Sequence, residues 1–145
     1  MELMTKHFSQ LCTEELFEIY KTRVSVFVVE QKCPYQEVDD ADRDAYHLWL
    51  RDETGLQAYA RVLTAGVNFP EVSIGRVIAV RRRHRLGSRI VKAAVEVARS
   101  RLSASSIVVE AQVYARSLYE KVGFRQTSEE FLEDGIAHIQ MRLEI

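Results

Sequence analysis

Behind Thr13, the residues Leu16, Tyr20, Val24 and Phe27 recur every three or four positions, which predicts an amphipathic helix over Glu14 to Val28 with Thr13 as its N-cap. Its tail, VSVFVVE, is β-branched and fits a strand as well, so the end of this element stays open. After Cys33 and Pro34 comes a polar loop, Tyr35 to Asp44, dense in carboxylates. His47 to Leu50 and Leu56 to Leu63, the latter alternating through Leu56, Ala58, Ala60 and Val62, predict two strands of a hairpin turned at Asp52 to Gly55.

Val72 to Val80 is nearly all apolar after Gly75 and Arg76, as befits a central strand covered on both faces. A basic turn, RRRHRLG, leads into a long helix striped by Val91, Val95, Ala98 and Leu102, widened by Ile90, Ala94 and Val97, with Ser88 as N-cap. A strand from Ile107 to Val113 follows, then a short helix from Ala115 to Val122 stopped by Gly123. A strand over Phe124 to Phe131 and a turn at Asp134-Gly135 precede a last strand ending near Leu143. This order predicts an α+β (mixed α/β) fold, a sheet layered with helices. No internal repeat interrupts it, and Pro34 and Pro70 fall in loops, so residues 1–145 read as one domain.

The composition narrows the choice of partner. With 47% hydrophobic residues the chain can bury a core unaided. Twenty basic against 21 acidic residues leave a net charge of −1, so the whole chain gives no reason to expect nucleic-acid or membrane-surface binding. Cys12 and Cys33 fit no metal spacing, no apolar run follows Lys6 near the start, and no apolar window reaches membrane length. The expectation is a reduced, cytoplasmic protein. Asp40, Asp42 and Asp44 begin like a calcium loop, but Ala45 stands where glycine is needed and Arg51 where the bidentate glutamate belongs. His7, His47, His84 and His138 share no ligand spacing and no serine lies in a nucleophile elbow, so metal and serine-hydrolase chemistry are not expected.

The segment IGRVIAVRRRHRLGSRIVKAAVEVA carries the most chemistry. A buried strand entering a helix through a glycine-containing turn brings free backbone N–H groups and a positive helix end together, which suits an anion. Arg81, Arg82, Arg83, Arg85 and Arg89, with His84, suit a multiply charged phosphate, although an arginine run is also a solvated turn or a nucleic-acid patch.

VIAVRRRHRLGSRIV resembles the strand and turn that bind the acyl-CoA pyrophosphate in the GNAT N-acetyltransferases, and VEAQVYARSLYEKVGF resembles their second cofactor-facing strand and helix. RVSVFVVEQKCPYQEVD and EEFLEDGIAHIQMRL are similar to segments of the ElaA-like branch. The resemblance implies a mostly antiparallel twisted sheet of six or seven strands with helices on both faces, and acetyl-CoA as acyl donor without a metal. It further implies cofactor contacts from Ile78, Ala79, Val80, Arg85, Leu86, Gly87, Ser88, Arg89 and Gln112. Tyr119 takes the position whose phenol protonates the CoA sulfur, against the alternative of a core aromatic. A backbone N–H near Ala79 or Val80 would hold the carbonyl. Glu110, Glu30 and His47 each remain open as general base. One departure stands out: Leu86, Gly87 and Ser88 follow Arg85 at once, about three residues and two glycines short of the family turn. The arginines compensate, or binding is weak or absent. The expected reaction is therefore acetyl transfer to an amine of a small molecule or peptide, and the rival is a non-catalytic CoA- or polyanion-binding module. The carboxylates Glu37, Asp39, Asp40, Asp42 and Asp44 would attract a cationic acceptor, or are only solvated. A homodimer is compatible with all of this.

Overall fold

The structure is a computed structural model that describes residues 1–80 and 85–145. In chain order it runs β1 (Glu2–His7), α1 (Thr13–Val24), β2 (Ala45–Asp52), β3 (Gly55–Leu63), β4 (Val72–Ala79), α2 (Leu86–Leu102), β5 (Ser106–Gln112), α3 (Arg116–Val122), β6 (Arg125–Gln126), β7 (Phe131–Glu133) and β8 (Ile136–Glu144). These strands form one sheet in the order β1-β2-β3-β4-β5-β8-β6, with β7 also paired to β8. Every pair is antiparallel except β4 with β5.

Helices cover both faces, as the resemblance implies. On one side α2 presses Ile90, Val91, Ala94, Val97 and Ala98 against Leu48, Leu50, Ala58, Ala60 and Val62. Val95 and Leu102, predicted within the main stripe, are only half-buried, so the apolar face of α2 is centred on Ile90 and Ala94. On the other side Ile19 and Phe27 pack on Trp49, Leu56, Tyr59 and Ile78. Leu56 shares this second face because the register slips between Leu50 and Arg51, where Gln57 is the extra residue. One bulge inverts the alternation, so Leu56 parts from Ala58.

Four further departures have local causes. The VSVFVVE tail is neither strand nor plain α-helix: Ser25–Glu30 winds as a wider π-type turn, with Gln31 and Cys33 donating to the carbonyls of Val26 and Val28. The crowded β-branched run expands the helix and buries Phe27. Cys12, not Thr13, is the cap of α1, and its N–H is taken by Glu15 at 2.9 Å. Strand β1 was not foreseen; it lies at a sheet edge with no buried side chain and is held by six backbone partners on β2. The single strand expected over Phe124 to Phe131 is instead β6 and β7, two short pieces on one edge of β8, and together with β1 they raise the count to eight.

Among the described residues no helix is long and apolar enough to cross a membrane.

Candidate active site

The sheet opens at its centre. β4 and β5 pair only at Val72 with Ile107 and Ser73 with Val108, and then part. The cause lies on the far edge of β4, where the pairing advances two residues on β3, from Tyr59 to Arg61, but three on β4, from Ile78 to Gly75. Arg76 takes up the extra residue with φ 54°, and such a bulge turns the rest of the strand away from its neighbour. The gap continues into a cleft of about 1250 Å³ walled by β4, β5, the start of α2, α3, the π-type turn and the β7–β8 hairpin. The Val80 N–H is taken by the Gln57 carbonyl at 2.9 Å. Because successive N–H groups along a strand alternate in direction, the Ala79 N–H points into the gap. Of the two amides named for the acyl carbonyl, Ala79 fits and Val80 does not.

At one end of the cleft α2 begins. Arg85 caps it in the left-handed conformation (φ 55°), and the first intrahelical bond runs from the Arg89 N–H to the Arg85 carbonyl. The N–H groups of Leu86, Gly87 and Ser88 therefore have no partner within the helix, and no acid stands in the first turn. Ser88 is inside the helix and is not its cap. Arg85, Gly87, Ser88, Lys92 and Lys121 line this end, so it is basic. The Leu86 side chain is core, leaving only its backbone for a ligand. Arg89 points elsewhere, toward Met1 Sδ at 3.9 Å, which removes it from the phosphate set. A Cβ on Gly87 would lie 3.2 Å from Leu118, so this glycine serves the close approach of α2 to α3. Arg81, Arg82, Arg83 and His84 lie outside the described residues.

Tyr119, Glu110, Gln112 and Glu30 all reach the cleft. Tyr119 is buried edge-on against Phe124, ring centres 5.7 Å apart. Burial first, and the Tyr114 phenol second, push its pKa above the ordinary value. Glu110 is pushed up to about 7 by burial, then by a hydrogen bond to Glu133 and the charge of that carboxylate. Gln112 exchanges amide hydrogen bonds with Gln31 at 3.3–3.4 Å. His47 is not on the cleft: fully buried, it donates from Nε2 to the Asp42 carbonyl (3.0 Å) and accepts the Tyr59 hydroxyl proton at Nδ1 (2.6 Å). Away from the cleft and with both ring nitrogens engaged, it leaves the list of bases, and burial holds its pKa below the usual value. Acidification below about 6.5 then protonates the unfolded ring but not the folded one, and stability falls with pH. In His47→Gln the loss of stability between about pH 6.5 and 5 should shrink, read by urea unfolding; an unchanged slope would show that the folded ring takes up the proton.

The acidic loop is not a solvated attractor. Arg23, entirely buried, meets Glu37 at 2.6 Å and Asp42 at 2.7 Å; Arg61 meets Asp39 at 2.6 Å and Asp42 at 3.0 Å; Arg76 meets Glu37 at 2.8 Å. Three guanidinium groups thus match three carboxylates. Burial alone would raise Asp42, but the hydrogen bonds and charges of Arg23 and Arg61 outweigh it and hold the carboxyl below its usual range. Only Asp40 and Asp44 of this loop are exposed acids.

Sequence reasoning missed Glu133, His138, Lys92 and Lys121, all on the cleft. For Lys92 there was a signal, since it stands one helical turn after Ser88. For Glu133 and His138 there was none, because it takes the pairing of β8 with β5, and of β7 with β8, to bring them to the wall that carries Glu110.

The GNAT acetyltransferase domain family matches residues 11–145. A UPF0039 protein of Schizosaccharomyces pombe is 42% identical over 153 residues, covering 100% of this chain and 98% of that protein. The crystal structure of an acyl-CoA N-acyltransferase from Pseudomonas aeruginosa superposes with a TM-score of 0.90 at 36% identity, and that of Escherichia coli ElaA with 0.91 at 33%, each covering 99% of both chains.

Proposed function

The chain belongs to the GNAT acetyltransferase family, and on that premise we propose that it moves an acetyl group from acetyl-CoA to a primary amine. What supports this most is the parting of β4 and β5, which gathers a free strand edge, a carboxyl raised to about 7 and a buried phenol on one cleft.

The donor's phosphates fit the basic end, where the amides of Leu86, Gly87 and Ser88 and the side chains of Arg85, Lys92 and Lys121 converge. The acyl arm lies in the gap, its carbonyl polarised by the Ala79 N–H. The other end carries Glu30, Glu110, Glu133 and Asp134, so the acceptor enters as an ammonium and Glu110 takes its proton. Its pKa near 7 suits a base working near neutrality. Tyr119 acts on the departing sulfur as a hydrogen-bond donor. Its phenol lies above the ordinary value near 10 and a thiol near 8.5, so complete proton transfer to the thiolate is uphill.

Acetyl-CoA turnover against a panel of amines, including diamines, lysine and peptide N-termini, tests the reaction. CoA binding without any turnover would favour the binding-module alternative. Arg85→Gly tests the phosphate end: it deletes the charge while easing a left-handed backbone, so the melting temperature should hold and CoA affinity fall about tenfold by calorimetry. An unchanged affinity would mean the guanidinium does not touch phosphate.

A further inference from the structure

We propose that Glu133 is the proton exit of this transferase, sharing a proton with Glu110 and passing it from the cleft to solvent, with His138 holding the Glu133 carboxyl in place. The proposal deepens the reading of Glu110 as base and rests on it.

Three strands assemble the group. Glu110 sits on β5 opposite Gln140 of β8, and Gln112 stands opposite His138. On its other edge β8 pairs with β7, Phe131 opposite His138 and Glu133 opposite Ile136. The hairpin thus brings the Glu133 carboxyl over β8 to hydrogen-bond Glu110. Two carboxylates cannot hydrogen-bond each other without a proton between them, so below about pH 7 the pair holds one proton and one negative charge, and above it the pair is ionised and free to accept one. Glu110 is half-buried, whereas the Glu133 side chain is 49% exposed, which gives the pair an inner and an outer member.

His138 fixes the outer member. Its ring stacks on Phe131 (6.1 Å, 24°), and its Nδ1 lies 2.7 Å from the Ile136 carbonyl. A carbonyl can only accept, so Nδ1 carries a hydrogen and Nε2 faces Glu133 Oε2 at 3.8 Å, ion-pair range when the ring is protonated. From the other side, the Cys33 thiol donates to the Asp134 carbonyl at 3.3 Å, tying the hairpin turn to the segment after the π-type helix. Among the described residues, the cleft is also lined by the ionisable groups Glu30, Tyr35, Arg61, Arg85, Asp134, Tyr114 and Tyr119. Arg76 and Asp39 lie on the β4 side, paired with each other at 3.4 Å, and Lys92 and Lys121 stand at the helix end.

The protons balance as follows. An N–H bond of the ammonium breaks, its electron pair stays on nitrogen, and the proton joins a Glu110 carboxylate oxygen of the ionised pair, where Glu133 comes to share it and takes it over. Glu133 releases that proton to bulk water. After nitrogen attacks the acetyl carbonyl and the C–S bond breaks, the second proton lost by nitrogen ends on the CoA sulfur, so each turnover frees one proton.

The test titrates the full-length protein, carrying glutamate labelled with ¹³C at Cδ, by NMR between about pH 4 and 9, alongside pH profiles of kcat/KM for the best amine of the panel. Wild type should show one glutamate titrating near 7, absent in Glu110→Gln. In Glu133→Gln that titration and the acid limb of kcat/KM should both drop by about one unit or more, and kcat by about tenfold, with the KM for acetyl-CoA unchanged; Glu133→Asp should restore most of the loss. His138→Gln should move the titration the same way by less. If Glu133→Gln leaves limb and kcat where they were while Glu110→Gln lowers turnover about 100-fold, the exit is wrong and the base stands. If Glu110→Gln is fully active, the base reading falls and the exit with it, and a panel without turnover overturns both.

Discussion

Replacing Arg23 with Met is expected to cost about 3–5 kcal/mol of stability, measured by denaturant unfolding. Methionine fills much of the same volume, so the loss is electrostatic. Glu37 and Asp42 would remain buried with two guanidinium groups for three carboxylates, and the Tyr59 hydroxyl would lose a donor at 3.4 Å. Against a total stability of about 5–15 kcal/mol this is a third or more, and the variant should melt well below the wild type. A change under about 1 kcal/mol would mean that water already reaches the carboxylates. The carboxyls of Asp39 and Asp42 are held below their usual range despite burial, so their contribution is complete above about pH 4 and disappears as the pH falls through the folded values. Acid unfolding of wild type should accordingly begin with this network.

Tyr119→Phe should lower kcat about 100-fold while acetyl-CoA affinity and melting temperature barely move. The ring keeps its edge-on contact with Phe124, so only the hydroxyl is lost. Loss of one donor to a developing charge in a dry site has an effect of this size, and it falls on kcat because the sulfur carries charge only as it leaves. Because the raised phenol stays protonated across the working range, the activity ratio of variant to wild type should not change between about pH 6 and 9. Intact turnover would make Tyr119 a core aromatic and nothing more.

The elements with strong periodicity were legible: α2, β3, β4, β5 and β8 fall close to where their apolar patterns put them, and Asp134-Gly135 makes the expected turn with φ 51° and 77°. What escaped was held by backbone or by distant partners. Strand β1 buries nothing, so no pattern marks it. The acidic loop looked solvated because its three arginines come from α1, β3 and β4, positions 23, 61 and 76. His47 looked like a base because an isolated histidine carries no sign of Tyr59. At the site, Tyr119 and Glu110 could be named from local segments, whereas Glu133 became visible only with the β8 register. The arginine turn invited too much: Arg89 leaves the site, and Arg85 holds a backbone conformation that costs about 1 kcal/mol without a glycine.

The parting of β4 from β5 gives the sheet an edge in its middle. Open edges ordinarily lie at the rim of a sheet, where they invite pairing with other chains and are blunted by charge or covered. Here the exposed row of N–H and C=O groups faces a partner strand that no longer pairs with it, inside a cleft of about 1250 Å³. An extended molecule bearing amides would be gripped there as a strand is gripped, through main-chain groups that every residue except proline supplies. Exchanging one small apolar side chain for another along this edge would barely disturb such a grip. A proline at Ala79 would remove the donor outright while leaving the Val80 bond to Gln57 in place.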